Sequence, residues 1–394
     1  MLPVDLLGKV SSRLALAVGV AAAACAPANT PEEAEAFPNL RPMFEAPGHR
    51  LGYVANRLSD SVSVIDLDLM TLLGSAPVGR DPVDIDGPGA LVLDRVLGIG
   101  YTSYSYPLAI VSAHERVAGA KGRNGYVEAL HLNDLSAAGS ALVEVQPENI
   151  AYDAATDLLV VSHFDSTRAL DVGGEIDARR ASVGSMTGTS LRLGTAAPQF
   201  VNTCVTPGPL VFDANATRAI VACSGEDVIS IVGLNPLQVL TRFAAGSQHA
   251  NKPLALIANG ARSKFLLSNE VSRTIVPFVI DPAPQLLAEI TVAGVPQTGV
   301  FLSDSEALVP MQAPDGVVRI DLMTNQVTQE VMYSQDECPE PGALSVGGNG
   351  AIWLVCENDR YHPGKLVTVE PLSLAVSNGI EVENYPTRVA VLEP

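Results

Sequence analysis

Residues 53–67 read Tyr-Val-Ala-Asn-Arg-Leu-Ser-Asp-Ser-Val-Ser-Val-Ile-Asp-Leu, and residues 77–85 read Pro-Val-Gly-Arg-Asp-Pro-Val-Asp-Ile. A short strand closes on Asn56, a polar turn follows, and a second strand leads to a Gly-containing corner. Degenerate copies recur to the C-terminus. A proline opens an apolar run at Pro82, Pro147, Pro209, Pro253, Pro296, Pro341 and Pro386, and the last four steps are 44, 43, 45 and 45 residues. That period belongs to blades of four strands, and proline suits the first residue of a strand, where it forfeits no central ladder bond. The residue closing the next strand keeps the same step: Asn56, His163, Ser224, Asn269, Gln312 and Glu357. Each unit holds four β-rich runs separated by Gly, Asn, Asp or Ser. The unit opened by Pro209 has them at 209–213, 219–223, 228–232 and 239–244. Seven prolines mark seven inner strands. The last, 387–392, has no sequence left to complete a blade, while the N-terminal repeat at 51–78 shows three strands. The chain is therefore expected to be all-β, a seven-bladed β-propeller over residues 46–394, closed by N- and C-terminal strands in one shared blade.

The repeat at 53–86, with a good copy at 315–322, resembles that of the YVTN family of bacterial β-propellers. The resemblance spans about residues 50–394. It implies kinship with lactonase-type and quinoprotein-associated propellers, and it transfers no catalytic residue.

Residues 1–24 have the form of an export signal, with Lys9 and Arg13 ahead of the apolar run 14–24. That run is too short to span a bilayer. It ends in Ala22-Ala23-Ala24-Cys25, which resembles a bacterial lipoprotein signal with Cys25 as the lipidated residue. Residues 25–45, rich in Ala, Pro and Glu, read as a tether. The expected location is outside the cytoplasm, membrane-anchored through Cys25, in the periplasm or on the cell surface. Of the five cysteines, the other four fall into two Cys-x-x-Pro-Gly-x-Leu units, pairing Cys204 with Cys223 and Cys338 with Cys356. Disulfides opposed across one hairpin are expected, in preference to a four-cysteine metal site, since the pairs lie in different blades.

The 394 residues are 47% hydrophobic and only 17% charged, with a formal net charge of −19. That field repels nucleic acid and anionic lipid headgroups. No nucleophile elbow, phosphate loop, paired-histidine metal motif or Cys-x-x-Cys-His haem site occurs, so no metal or cofactor is expected. His131 shares the register of Asp66 and Asp321 and reads as a turn residue. His163 shares that of Asn56 and Asn269, where a polar side chain can satisfy the turn.

The repeat is interrupted twice, at 103–124 and at about 185–206, and function in repeat folds concentrates in insertions on one face. Tyr104, Tyr106 and Arg116 are the leading contact candidates, with His163, Asn269, Gln312 and Glu357 expected to rim the channel mouth beside Ser224. The leading functional reading is a binding scaffold for an unknown protein, glycan or small ligand. The alternatives are an exported enzyme and a structural surface protein. Convergent His, Asp or Arg side chains around the channel would favour the enzyme; an uncharged, shallow channel would favour binding.

Overall fold

The computed structural model describes residues 42–79, 87–105, 124–165, 180–248, 250–377 and 379–394. Cys25 and the export segment, Pro82, Tyr106 and Arg116 lie outside the described residues.

Seven antiparallel sheets follow one another around a ring. Blade one contains Leu51–Asn56, Ser61–Asp66 and Thr71–Pro77, and its innermost strand is Pro386–Leu392 from the other end of the chain. Leu51 pairs with Leu392 and Val54 with Val389, so the ring closes as the repeat arithmetic requires. The remaining six inner strands open at Pro88, Pro147, Pro207, Pro253, Val295 and Pro341. Three of these differ from expectation: Val295 rather than Pro296 stands opposite Gln312. Pro88 and Pro207, rather than Pro82 and Pro209, stand opposite the residue that closes the second strand, Tyr104 and Cys223.

Burial follows position within the blade. Second strands lie between neighbouring sheets, and Leu51–Asn56, Ile99–Tyr104 and Phe265–Asn269 are buried at every residue. Their sequences are near-continuous apolar runs, as two covered faces demand. The outer strand Gln326–Met332 alternates exposed and half-buried residues, with Val327 and Val331 on the half-buried side. The core is thus spread between blades. Trp353 of blade seven, for example, packs with Val54, Ile65 and Val389 of blade one.

Aspartates that end strands cap the turns. Asp66, Asp94 and Asp321 each accept two backbone N–H groups from the residues just beyond, the Asx turn. In blade two the third strand ends at His131, and its backbone closes the turn by bonding Ser136 and Leu135. Asp153 and Asp213 bind Thr156 and Thr217 within the inner hairpins.

Both disulfides are formed, with Cα–Cα separations of 6.1 Å for Cys204–Cys223 and 5.2 Å for Cys338–Cys356. They do not cross one hairpin. The residue opposite Cys223 is Pro207, and opposite Cys356 is Pro341. Cys204 and Cys338 precede these prolines by three positions; Cys204 ends the outer strand of blade three and Cys338 lies in the connection into blade seven, so each bond ties the approach to a blade to that blade's second strand.

The second expected insertion is misplaced. Residues 185–206 hold the end of the third strand Ala181–Thr187, a short helix Gly188–Arg192 and the outer strand Gln199–Cys204. Ala181-Ser-Val-Gly184 resembles a blade end in composition, but it is a buried central strand pairing with Leu158–His163. A side chain at Gly184 would meet the Phe200 ring at 2.8 Å. The long connection of blade three is instead 164–180. Like 105–123 in blade two, it joins second strand to third, so both leave their sheets on one face of adjacent blades. That face is called here the insertion face. One residue of the expected tether, Phe44, is buried against blade one and donates its N–H to Asn133 O at 2.7 Å.

Candidate functional site

The blade corners on the insertion face repeat one device. The residue before the inner-strand proline has positive φ: 53° at Gln146, 48° at Thr206, 52° at Lys252, 49° at Glu340 and 54° at Tyr385. A following proline disfavours right-handed helical backbone, and this corner takes the left-handed conformation instead. Its carbonyl then accepts the N–H of the residue just past the second strand. The pairs are Phe164 with Gln146, Ser224 with Thr206, Glu270 with Lys252, Glu357 with Glu340 and Arg57 with Tyr385, at 2.9–3.2 Å. Both members of the Tyr385–Arg57 and Lys252–Glu270 corners reach the mouth of the central channel, and from the others Phe164, Ser224 and Glu357 do.

What lies there is charged. A cavity of about 460 Å3 runs into the channel between the inner strands. Arg57 donates to Glu148 at 2.6 Å, with both side chains largely covered. Burial alone would lower the Arg57 pKa, but the Glu148 carboxylate more than offsets this and raises it. Lys252 pairs with Glu270 at 2.8 Å within its own blade corner at the mouth. Among the described residues Glu357 has no such cation bonded to it. Its burial, reinforced by Glu340, outweighs the pull of Arg360, Gln312 and Arg57, and its pKa is pushed up to about 7. Tyr385 lies in the same group; burial first, and then the Glu357 charge, raise its phenol pKa. The Arg360 guanidinium sits over the Tyr385 ring, 4.4 Å from its centroid. Gly342 makes room for this arrangement, because a Cβ there would fall 2.3 Å from Glu357 Oε1.

Among the residues singled out from sequence, Glu357 and Ser224 line this cavity. Gln312 bonds Gln297, a lining residue, at 3.3 Å and lies against Glu357. His163 and Asn269 do not reach the channel. They end their strands one position earlier and are fully buried inside the blades. His163 Nε2 accepts the Glu144 N–H, which leaves the proton on Nδ1, beside Ser182. Asn269 Nδ2 donates to Ala245 O and Thr274 Oγ1. Both therefore fill the turn-satisfying role also performed by Asn56, which binds Ser61 and Ser63. Tyr104 is likewise buried, stacked on Tyr126 with ring centroids 4.7 Å apart. Arg57, Glu148, Lys252, Glu340, Tyr385 and Arg388 were not anticipated. Most sit beside a repeat proline or just past a strand end, and that position is the signal that could have found them. Among the described residues no three His, Cys, Asp or Glu side chains group as a metal site.

Chemically, the mouth offers fixed guanidinium and ammonium groups and one carboxyl able to be neutral or charged near pH 7. A neutral carboxyl donates as well as accepts hydrogen bonds. Such a site suits a small polar molecule with hydroxyl or carbonyl oxygens.

No protein-family model matches the chain, and no curated protein matches it either. Solved structures do. The Pseudomonas aeruginosa periplasmic gluconolactonase PpgL is 13% identical with a TM-score of 0.64, covering 88% of this chain and 100% of its own. The dihydro-heme d1 dehydrogenase NirN is 15% identical with a TM-score of 0.56, covering 90% and 78%. AztD of Citrobacter koseri is 14% identical with a TM-score of 0.50, covering 87% and 97%. The chain has the seven-bladed propeller fold. At these identities the likeness carries the fold alone.

Proposed function

We propose that this chain is an exported propeller, of YVTN type in its repeats, that binds a small polar molecule at the insertion-face mouth of its channel. The observation that carries this reading is Glu357. Its carboxyl is poised near neutrality among Arg57, Tyr385 and Arg360 in a cavity of about 460 Å3, within the usual range for small-ligand sites. The two formed disulfides suit an oxidising compartment, and the net charge of −19 disfavours nucleic acid. Tyr106 and Arg116 remain candidate contacts from the neighbouring insertion. Cys25 is the proposed lipid anchor, and Cys25→Ser should move the protein from the membrane fraction to the soluble one. A wild-type protein already soluble would remove the anchor from this reading.

The test of binding is a calorimetric screen of sugars, sugar acids and lactones against the wild type, Glu357→Gln and Arg57→Met. A ligand held at this mouth should bind the wild type and weaken about tenfold or more in each variant, as expected for hydrogen bonds to charged groups. A ligand unaffected by both changes sits elsewhere. The second reading is an enzyme, and the channel's converging charges favour it over an inert surface. A carboxyl near pH 7 is matched to general acid–base work, and PpgL is named a gluconolactonase. Hydrolysis of an aldonolactone above the buffer rate, lost in Glu357→Gln, would establish it. No rate above buffer would leave binding as the function.

A further inference from the structure

The channel holds a second cavity at its other end, on the face opposite the insertions. Its volume is about 260 Å3, and Leu91, Val300, Val346 and Val391 form its apolar walls, with Arg95 and Arg388 as its cations. No carboxylate lines it. Arg388 comes from the inner strand of the shared blade and lines both cavities, so it marks the level at which they meet.

Its surroundings are unusual for a cation. The side chain is exposed to channel water, while the surrounding inner strands lower its pKa by displacing part of that water. A guanidinium stays charged regardless. Its hydrogen bond is a long one, 3.4 Å from Nε to Ser345 Oγ, and that hydroxyl already donates to Val389 O at 2.7 Å. Among the described residues no carboxylate pairs with Arg388. Glu393, at the end of the same strand, accepts the Gly348 N–H instead at 2.8 Å. At the opposite mouth, by contrast, Arg57 is paired with Glu148 and Lys252 with Glu270. A guanidinium facing the cavity with no carboxylate on it keeps N–H donors available to an anionic ligand.

We infer that this cavity is a binding site for a small aliphatic carboxylate, its carboxylate on Arg388 and its hydrocarbon chain against Leu91, Val300, Val346 and Val391. The planar guanidinium can offer two parallel N–H donors to a carboxylate. The exposed Arg95 at the rim adds a second positive charge. Long-range attraction of an anion is opposed by a chain at −19, so selection has to be local, through this pair and the apolar walls. A cavity of about 150 Å3 holds benzene, which sizes the ligand here at roughly six to ten non-hydrogen atoms.

The test is calorimetry on the full chain with hexanoate and, as its uncharged counterpart, hexanol. Hexanoate should bind saturably, and hexanol about tenfold or more weaker. Arg388→Gln should weaken hexanoate about tenfold or more, Arg95→Ala by less, and Glu357→Gln should leave it unchanged, which separates this site from the one at the opposite mouth. If Arg388→Gln does not fold, Arg388→Lys keeps the charge without the fork and should weaken binding several-fold. Val346→Glu, which sets a carboxylate in the wall, should abolish it. Absence of saturable hexanoate binding below about 10 mM would overturn the inference, as would hexanoate binding that Arg388 and Val346 variants leave intact.

Discussion

Glu357 gives the site its clearest pH signature. Its pKa rises from an ordinary 4.5 to about 7 because the folded chain buries it. A carboxyl raised in this way favours the fold fully below about pH 4.5, and that contribution is lost as pH climbs through 7. Above that, the charged carboxylate costs stability, about 2 kcal/mol once channel water is allowed for. Glu357→Gln stays neutral throughout. The variant should therefore gain on the wild type between pH 5 and pH 8, by several degrees of Tm; an equal difference at both pH values would mean a carboxyl charged throughout. Gly342→Ala acts on the same group, since its Cβ would fall 2.3 Å from Glu357 Oε1. It should cost about 1–3 kcal/mol as an overpacked site, measured by denaturant unfolding, and Glu357→Gly in the same chain should recover part of it. The sequence named Glu357 for its place near a strand end but put His163 and Asn269 in the same register. The true register is Asn56, His163, Asn269 and Cys356, with the channel residues one step on. Side chains alternate along a strand, so one position of slip turns a pore residue into a buried one. Sequence pattern marks where a strand ends only to within a residue or two, and that tolerance is wider than this distinction.

Strands and connections were legible where composition follows burial. The four β-rich runs of the unit opened by Pro209 read correctly, and so did the cysteine pairs, because they share a repeated motif. Ala181-Ser-Val-Gly184 did not, since small residues mark both a blade corner and a central strand pressed against Phe200. Each disulfide closes a loop of fewer than 20 residues, with sequence separations of 19 and 18. Chain-entropy arguments then give about 3 kcal/mol per bond. Cys338→Ala with Cys356→Ala should lower unfolding free energy by about that amount, read by guanidinium titration; a loss below about 0.5 kcal/mol would mean the large core dominates. The hairpin of blade two is paired up to Tyr104–Tyr126 at the root of its insertion. Replacing residues 107–122 with a short turn should leave Tm nearly unchanged. A fall as large as that of a core mutation would show that these residues are part of the blade's packing.

At the scale of the whole molecule, blade number and closure were legible from arithmetic: three strands at one end of the chain, one at the other. The unpaired Arg388 was not, because nothing in a local window says which charges will face one another across a ring. Closure also makes the last strand indispensable. Val389 and Val391 are buried between blades one and seven, and burial of two such side chains contributes about 3–6 kcal/mol. A chain ending at Tyr385 loses these contacts and exposes Leu51–Asn56 as an open edge. It should unfold at least 10 °C lower or aggregate, and a truncated protein of normal Tm would show that the ring holds without its clasp. Time enters here as well. Leu51 leaves the ribosome long before its partner Leu392 exists. At about 5–20 residues per second the wait is on the order of 20–70 s, during which blade one presents an unpaired hydrophobic edge. The first blade made is the last finished, so a nascent chain stays open, and dependent on whatever shields that edge, until its closing strand is made.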